Sequence, residues 1–463
     1  MGLVLATAAV LVTASEQAVT EVKLREMPDG RWIVAFRFPE PQRAVVFRQA
    51  PEPYRAGHWT SLTEGVALET VGQTDVMLFE PPARQAVFEI EPHTTSLAKA
   101  YTPFLAFTDG GWGVLEGQFR VSSATGRAEV AAFEGNGESW PGDLFDYTLT
   151  IESERSLFHG GAWADGSLEL SPEGDGSYVY VGDARVETSE NYVGFIDRGL
   201  PAWIRDQLDD DLTAIFAELS TEWGFTLPEP VEVLFVFDGA EHPGLAQTGG
   251  ALGQQLALQV SGDALLEPDA SILAYFRWFL AHESAHVYQN AAGMPGVPAA
   301  HAWMQEGVAN TMAHRISGRL AEDRKDFLGE VYGRAFADCV AYLDTGAPLA
   351  AAIQTGRFDA YYACGDLIAL VTEAGLAEGD IFEFWRAFLE TSEAEEVAEI
   401  APDHYFRLAR SRGLAEGTAR RLEALVFEPV SHPYATLREL LETAGLAPRF
   451  DEEGKLESLD LPR

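Results

Sequence analysis

The residues best suited to chemistry lie in one ten-residue stretch, AHESAHVYQN, Ala281 to Asn290. It holds His282, Glu283 and His286 in the order His-Glu-x-x-His. On a helix, positions four apart share a face and lie about 6 Å apart along the axis. Two imidazoles so placed can take two corners of a tetrahedral zinc ion. Glu283 falls on the adjacent face, where its carboxylate reaches a water on the metal. Short motifs also arise by chance, and two histidines on an apolar helix are more often packed than ligating. A second segment decides the matter. HAWMQEGVAN places Glu306 twenty residues after His286. Between them lie Gly293, Pro295, Gly296 and Pro298, enough loop for the second helix to fold back antiparallel. Glu306 then supplies a third ligand. Three protein ligands and one open position make a catalytic zinc site rather than a structural one. The expectation is one Zn2+ per chain on His282, His286 and Glu306, with Glu283 as general base. Asn310, four residues after Glu306, is expected to orient His282 or Glu306 from the second helix.

These side chains need elements to hold them. SILAYFRWFLAHESAHVYQN predicts a helix over about 271–290, its first half apolar nearly all round, as suits a buried helix. Further helices are predicted at about 301–317, 322–344, 358–374, 380–392, 403–411, 415–426 and 435–444. Ahead of them PAWIRDQLDDDLTAIFAELSTEWG reads as a helix with Pro201 at its start and Gly224 at its stop. VEVLFVFD (231–238) and QQLALQVSG (254–262) read as strands. Residues 17–195 are β-rich. RWIVAFRF puts Trp32, Val34, Phe36 and Phe38 on one face at period two, and turn clusters such as TDGG and SPEGDG separate the strands. The expected organisation is multidomain: a β-sandwich-like module over 16–195, with a break near Ser122–Arg127, then a mixed α/β piece leading into a mostly α-helical catalytic domain to about 400. Separate C-terminal helices are expected over 401–450 and a loose polar tail over 451–463.

Composition limits the partners. Lys and Arg number 32 against 72 Asp and Glu, a net charge of −40. Such a surface repels phosphate backbones and anionic membranes, so nucleic acid is not expected as a partner. The acidity serves solubility, and with lysine only at Lys23, Lys99, Lys325 and Lys455 it also suits a salty medium. The opening MGLVLATAAVLVTASEQA has an apolar stretch, Gly2–Val12, of secretory length, with Val12-Thr13-Ala14 before a candidate cleavage point. It lacks the basic n-region residue. No run is long and apolar enough to span a bilayer. An exported, periplasmic or secreted protein is expected. Cys339 and Cys364 exclude a CxxC knuckle, and stand either as a staple between neighbouring helices or as two buried thiols.

His282-Glu283-x-x-His286 with Trp303-x-x-Glu306-Gly307-x-Ala309 resembles the gluzincin metallopeptidases. It is similar to the aminopeptidase N and glycyl aminopeptidase families more than to thermolysin. The specific motif covers about Ala281 to Asn310, and the looser architectural match most of residues 17–400. The resemblance implies a β-rich domain ahead of a thermolysin-like catalytic domain, and a peptide or protein substrate. It also implies a tyrosine in a Tyr-x-x-Gly context that bonds the developing oxyanion. Tyr362-Ala363-Cys364-Gly365 provides Tyr362, with Tyr361 a near rival. Finally it implies a substrate-edge strand, placed at Gly249, Gly250, Ala251 and Leu252 within GGALGQQLAL. Here the sequence departs from the family. Gly253 or Gln254 stands where the family carries the Glu that grips a free amino group. The alternative to a peptidase is a catalytically inert gluzincin scaffold that binds partners.

Overall fold

The computed structural model describes residues 19–461 apart from 50, 99, 173, 175 and 185. The expected leader, Gly2–Val12, lies outside the described residues. The chain divides into two compact units: the described residues of Met1–Leu105 with Gly111–Asp183, and Ala106–Gly110 with Ala184–Arg463.

In the first unit the period-two pattern does what alternation dictates. Trp32, Val34, Phe36 and Phe38 are each 1% exposed or less, while their neighbours point outward. They belong to the long strand Trp32–Phe47, which pairs antiparallel with Thr74–Ile90 from Trp32 opposite Ile90 to Val46 opposite Val76. The segments DVMLFE and QAVFEIE, read as two strands, are the two ends of Thr74–Ile90. Val66–Val71 pairs with its first part and Trp59–Ser61 with its last. No break occurs near Ser122, because Val121–Ala124 pairs with Ala44–Phe47 in the same eleven-stranded sheet.

The second unit has a five-stranded sheet in the order Glu187–Thr188, Tyr192–Ile196, Val231–Phe237, Gln255–Ser261, Ala246–Leu252. Tyr192–Ile196 pairs parallel with Val231–Phe237, so it belongs here and not to the β-module. Val231–Phe237 pairs parallel with Gln255–Ser261. Ala246–Leu252 closes the sheet as an antiparallel outer strand. GGALGQQLAL is therefore a hairpin and not one substrate strand. Gln255–Leu258 lies inside the sheet, buried, with neighbours on both sides. Only Gly249 to Leu252 lie on the edge strand.

The helices follow the apolar periodicity closely: Ala202–Trp223, Ala270–Ala291, Ala302–Leu320, Arg324–Leu343, Asp359–Gly375 and Ile381–Ala394, then Pro402–Ser411, Glu416–Phe427 and Pro433–Thr443. Asp269 caps the motif helix by accepting from the Ser271 N–H at 2.7 Å. One continuous core runs from Tyr192 to Leu459, so the C-terminal helices are not a separate unit. The tail is not loose either. Leu456 is 1% exposed, and a Cβ on Gly329 or Gly333 of Arg324–Leu343 would meet the Glu457 or Leu456 carbonyl oxygen at 2.3 or 2.6 Å. Two glycines one turn apart give the tail a groove at backbone depth. A sequence reading that takes polar residues as solvated cannot see that contact.

Candidate metal centre

Three ligand atoms converge. His282 Nε2 lies 3.0 Å from His286 Nε2, and each lies 3.2 Å from Glu306 Oε2. Zinc bonds of 2.0–2.1 Å in a tetrahedron separate ligand atoms by about 3.3 Å. The donor set and its spacing thus fit that ion. Among the described residues this is the one group of three His, Cys, Asp or Glu whose ligand atoms lie within 4.8 Å of one another.

Local structure explains the convergence. The histidines occupy successive turns of Ala270–Ala291, and His282 is 2% exposed. After Gly293 (φ +81°) the chain turns, and the Gly296 N–H bonds the Ala398 carbonyl at 3.0 Å. His301 helps fix this loop, its Nδ1 3.1 Å from the Ile400 carbonyl. Ala302–Leu320 then returns with Glu306 on its first turns. Glu306 and His286 keep side-chain exposures of 15% and 11%, so the cluster retains some access to solvent.

A partner that pattern reading missed sits on the motif helix. His286 Nδ1 lies 2.9 Å from Gln289 Oε1. That oxygen only accepts, so in the neutral imidazole Nδ1 carries the proton and Nε2 keeps its lone pair for a metal. The three-residue spacing from His286 to Gln289 was the available signal. Without a cation, burial alone would depress His286, but the Glu306 charge overrules it and holds the imidazole up to about 9. Glu306 itself sits well below the ordinary carboxylate range: burial opposes this, and His286 and His282 outweigh it.

Glu283 is not one of the three converging groups. It is 9% exposed, and its Oε2 accepts the Ala251 N–H at 3.0 Å. Burial pushes this carboxyl up, while both histidines pull it back. Ala251 belongs to the edge strand, so that strand and the carboxylate are tied together. Nearby, Gly249 has φ +125°, and a Cβ there would meet the Ala257 carbonyl oxygen at 1.9 Å. Only glycine fits. Gly253 and Gln254 form the turn between the two hairpin strands.

Tyr362 and Tyr361 separate cleanly. The Tyr362 ring lies 5.6 Å from the His282 ring. Tyr361 points elsewhere, its hydroxyl 3.4 Å from both the Ile353 N–H and the Ala350 carbonyl. A helix crossing delivers Tyr362: a Cβ on Gly307 would come within 2.1 Å of the Gly365 carbonyl carbon, and one on Gly365 within 2.3 Å of the Trp303 oxygen. Helices Ala302–Leu320 and Asp359–Gly375 touch backbone to backbone beside Glu306. Asn310 shares the helix of Glu306, and its Nδ2 donates across the crossing to the Tyr362 carbonyl of Asp359–Gly375 at 3.3 Å. Of the two readings of the cysteines the staple holds: Cys339 and Cys364 are bonded, joining Arg324–Leu343 to Asp359–Gly375.

No family model and no curated protein matches this sequence. Solved structures do. An aminopeptidase N family protein from Idiomarina loihiensis superposes with a TM-score of 0.66 at 12% identity, over 94% of this chain and 79% of that one. An M1 zinc metallopeptidase from Deinococcus radiodurans gives 0.46 at 14% identity, over 89% and 94%. Yeast LTA4 hydrolase with bestatin gives 0.47 at 11%, over 89% and 68%. Of these the first is close enough to define a common architecture. The chain has the aminopeptidase N fold, a β-rich domain followed by a helical domain. At such identity the likeness speaks for fold and not for activity. No described helix is long and apolar enough to cross a membrane.

Proposed function

We propose that this chain is an exported zinc peptidase that hydrolyses peptide bonds with Glu283 as general base. The reading rests on the place of Glu283. It is a buried carboxylate beside three converging ligand atoms, not one of them, and tied to the outer strand of a sheet. A site that held metal for structure alone would have no use for it. His282, His286 and Glu306 would hold zinc, which would lower the pKa of a bound water towards about 7 and polarise the scissile carbonyl. Glu283 takes a proton from the attacking water as the new C–O bond forms. It returns that proton to the nitrogen as the C–N bond breaks. Its burial favours this traffic by bringing the carboxyl closer to neutral pH. The Tyr362 phenol donates towards the oxygen on which charge develops. An extended substrate adds to the edge of Ala246–Leu252 through backbone hydrogen bonds. The turn Gly253–Gln254 carries no carboxylate for a free amino group, which favours a grip on the chain interior over an amino-terminal anchor. The Cys339–Cys364 bond supports an oxidising compartment.

The test is a mixed peptide pool incubated with the wild-type protein and with Glu283→Gln, at low and high salt, read by mass spectrometry. Cuts are expected from the wild type only, with equal zinc in both proteins. Cutting by the variant would remove Glu283 from its role. A zinc-loaded wild type that cuts nothing would leave the inert binding scaffold as the better reading.

A further inference from the structure

Within the β-rich unit a cavity of about 370 Å³ is lined by two arginines, Arg48 and Arg120. The backbone sets them side by side. Trp32–Phe47 and Val121–Ala124 pair antiparallel, ending with Phe47 opposite Val121, and the Arg48 N–H then bonds the Arg120 carbonyl at 2.9 Å. Arg48 and Arg120 are thus the next opposed pair. Residues so opposed put their side chains on one face of the sheet, where like charges repel.

Arg48 is held in place by oxygens without charge. Its Nη1 donates to Ser122 Oγ at 3.0 Å and to the Gly142 carbonyl at 3.1 Å, and its Nη2 donates to the Glu138 carbonyl at 3.0 Å. These bonds fix the guanidinium plane and leave its charge uncancelled. Burial, and after it the Arg120 charge, push Arg48 below its ordinary value. Arg120 is half-buried, and its guanidinium has neither a hydrogen bond nor an ion pair among the described residues. The chain has carboxylates enough to pair both, since Asp and Glu outnumber Lys and Arg by 72 to 32. Other arginines of the same unit do meet them: Arg25 reaches Glu152 at 2.7 Å, Arg127 reaches Glu69 at 3.1 Å, and Arg155 reaches Glu26. The carboxylate on the cavity lining, Glu138, is exposed and forms no ion pair with Arg48 or Arg120. Two uncancelled guanidiniums on one cavity, in a chain of net charge −40, call for a negative ligand. Their planar forks of N–H donors match the oxygens of a carboxylate or a phosphate.

We infer that this cavity is an anion site that takes a carboxylate or phosphate group between Arg48, the fixed arm, and Arg120, the accessible one. It belongs to the β-rich unit and does not depend on the peptidase reading.

The test uses the full chain at constant ionic strength. Inorganic phosphate and malonate are titrated calorimetrically into wild type, Arg120→Gln and Arg120→Lys, and thermal unfolding is followed with and without each anion. Wild type should bind saturably. Arg120→Gln should weaken binding about tenfold or more, and Arg120→Lys, which keeps the charge and loses the fork, by less. Without anion, Arg120→Gln should unfold at the wild-type temperature or above it, because one of two repelling charges is gone. An arginine that served packing alone would lower that temperature when replaced. Added anion should raise the wild-type transition and leave that of Arg120→Gln where it was. Binding of phosphate alone makes the ligand a phosphoryl compound and binding of malonate alone a carboxylate; either supports the site. An anion held at the metal centre instead would bind wild type and Arg120→Gln alike. Such equal binding, or no saturable binding of either anion by wild type, overturns the inference whatever the protein does to peptides.

Discussion

The metal-free centre holds a proton that zinc must displace, and this makes a sharp test of the geometry. His286 is held up to about 9 by the Glu306 carboxylate 3.2 Å away. A ligating imidazole must be neutral. At pH 7 the protonated form of such a group outweighs the neutral one about 100-fold, falling to about tenfold at pH 8. For a histidine at its ordinary 6.5 the affinity would change by only about 1.3-fold between those pH values. The assay is chelator competition at pH 7.0, 7.5 and 8.0, with the chelator's own protonation corrected. The expected slope is about one logarithmic unit of affinity per pH unit, with nearly one proton released per zinc. Glu306→Gln removes the charge that raises His286, so it should weaken binding and flatten the slope together. The same linkage acts on folding. His286 is raised above its unfolded value, so its contribution to the metal-free fold is full below 6.5 and is lost as pH rises through about 9. Wild-type zinc affinity that moves less than twofold from pH 7 to 8 would refute the reasoning, because the three atoms would then not form one coupled group.

Other consequences are open to measurement. Tyr362→Phe keeps the ring beside His282 and removes the donor; kcat should fall about 10²–10³-fold with KM little changed, and an unchanged kcat would return Tyr362 to packing. Gly365→Ala drives a methyl to within 2.3 Å of the Trp303 oxygen, so the protein should lose about 3 kcal/mol or more of stability and weaken its zinc binding through displacement of Glu306; thermal unfolding and zinc titration together read this. Replacing Cys339 and Cys364 by serine opens a link across 25 residues, worth about 3.5 kcal/mol by the chain-entropy relation; urea unfolding of the double variant should show a loss of that order, and no loss would mean that packing alone joins the two helices.

Much of the centre was legible because helix spacing is local. His282, Glu283 and His286 lie within five residues, and 3.6-residue periodicity fixes which of them share a face before any tertiary contact forms. The helix limits followed for the same reason: Pro201 and Gly224 mark the start and stop of one helix in the sequence, and they stand at the two caps of Ala202–Trp223. The sheet was harder. QQLALQVSG reads as a strand and Gly249 to Leu252 as an edge, but composition does not show that the two-residue turn Gly253–Gln254 folds them into one antiparallel hairpin. Only pairing tells the edge half from the buried half, and pairing is a long-range property. The tail was misjudged similarly, since its burial depends on Gly329 and Gly333 more than a hundred residues earlier.

The least legible element is the one that assembles the site. Glu306 and Tyr362 lie on different helices, and the sequence gives each its own plausible context. What brings them together is the contact of Gly307 with Gly365, one residue after Glu306 and three after Tyr362. A glycine inside a helix costs about 1 kcal/mol relative to alanine, so two at matching positions need a compensating reason. Here the reason is close approach: any larger residue at either position would part the helices beside the cluster. The glycines of Glu306-Gly307 and Tyr362-x-x-Gly365 are thus the structural half of the chemistry. They fix how far the third ligand stands from the phenol, while His282 and His286 fix only their own helix. A sequence that kept every polar residue of the site and replaced either glycine would keep the motif and lose the centre.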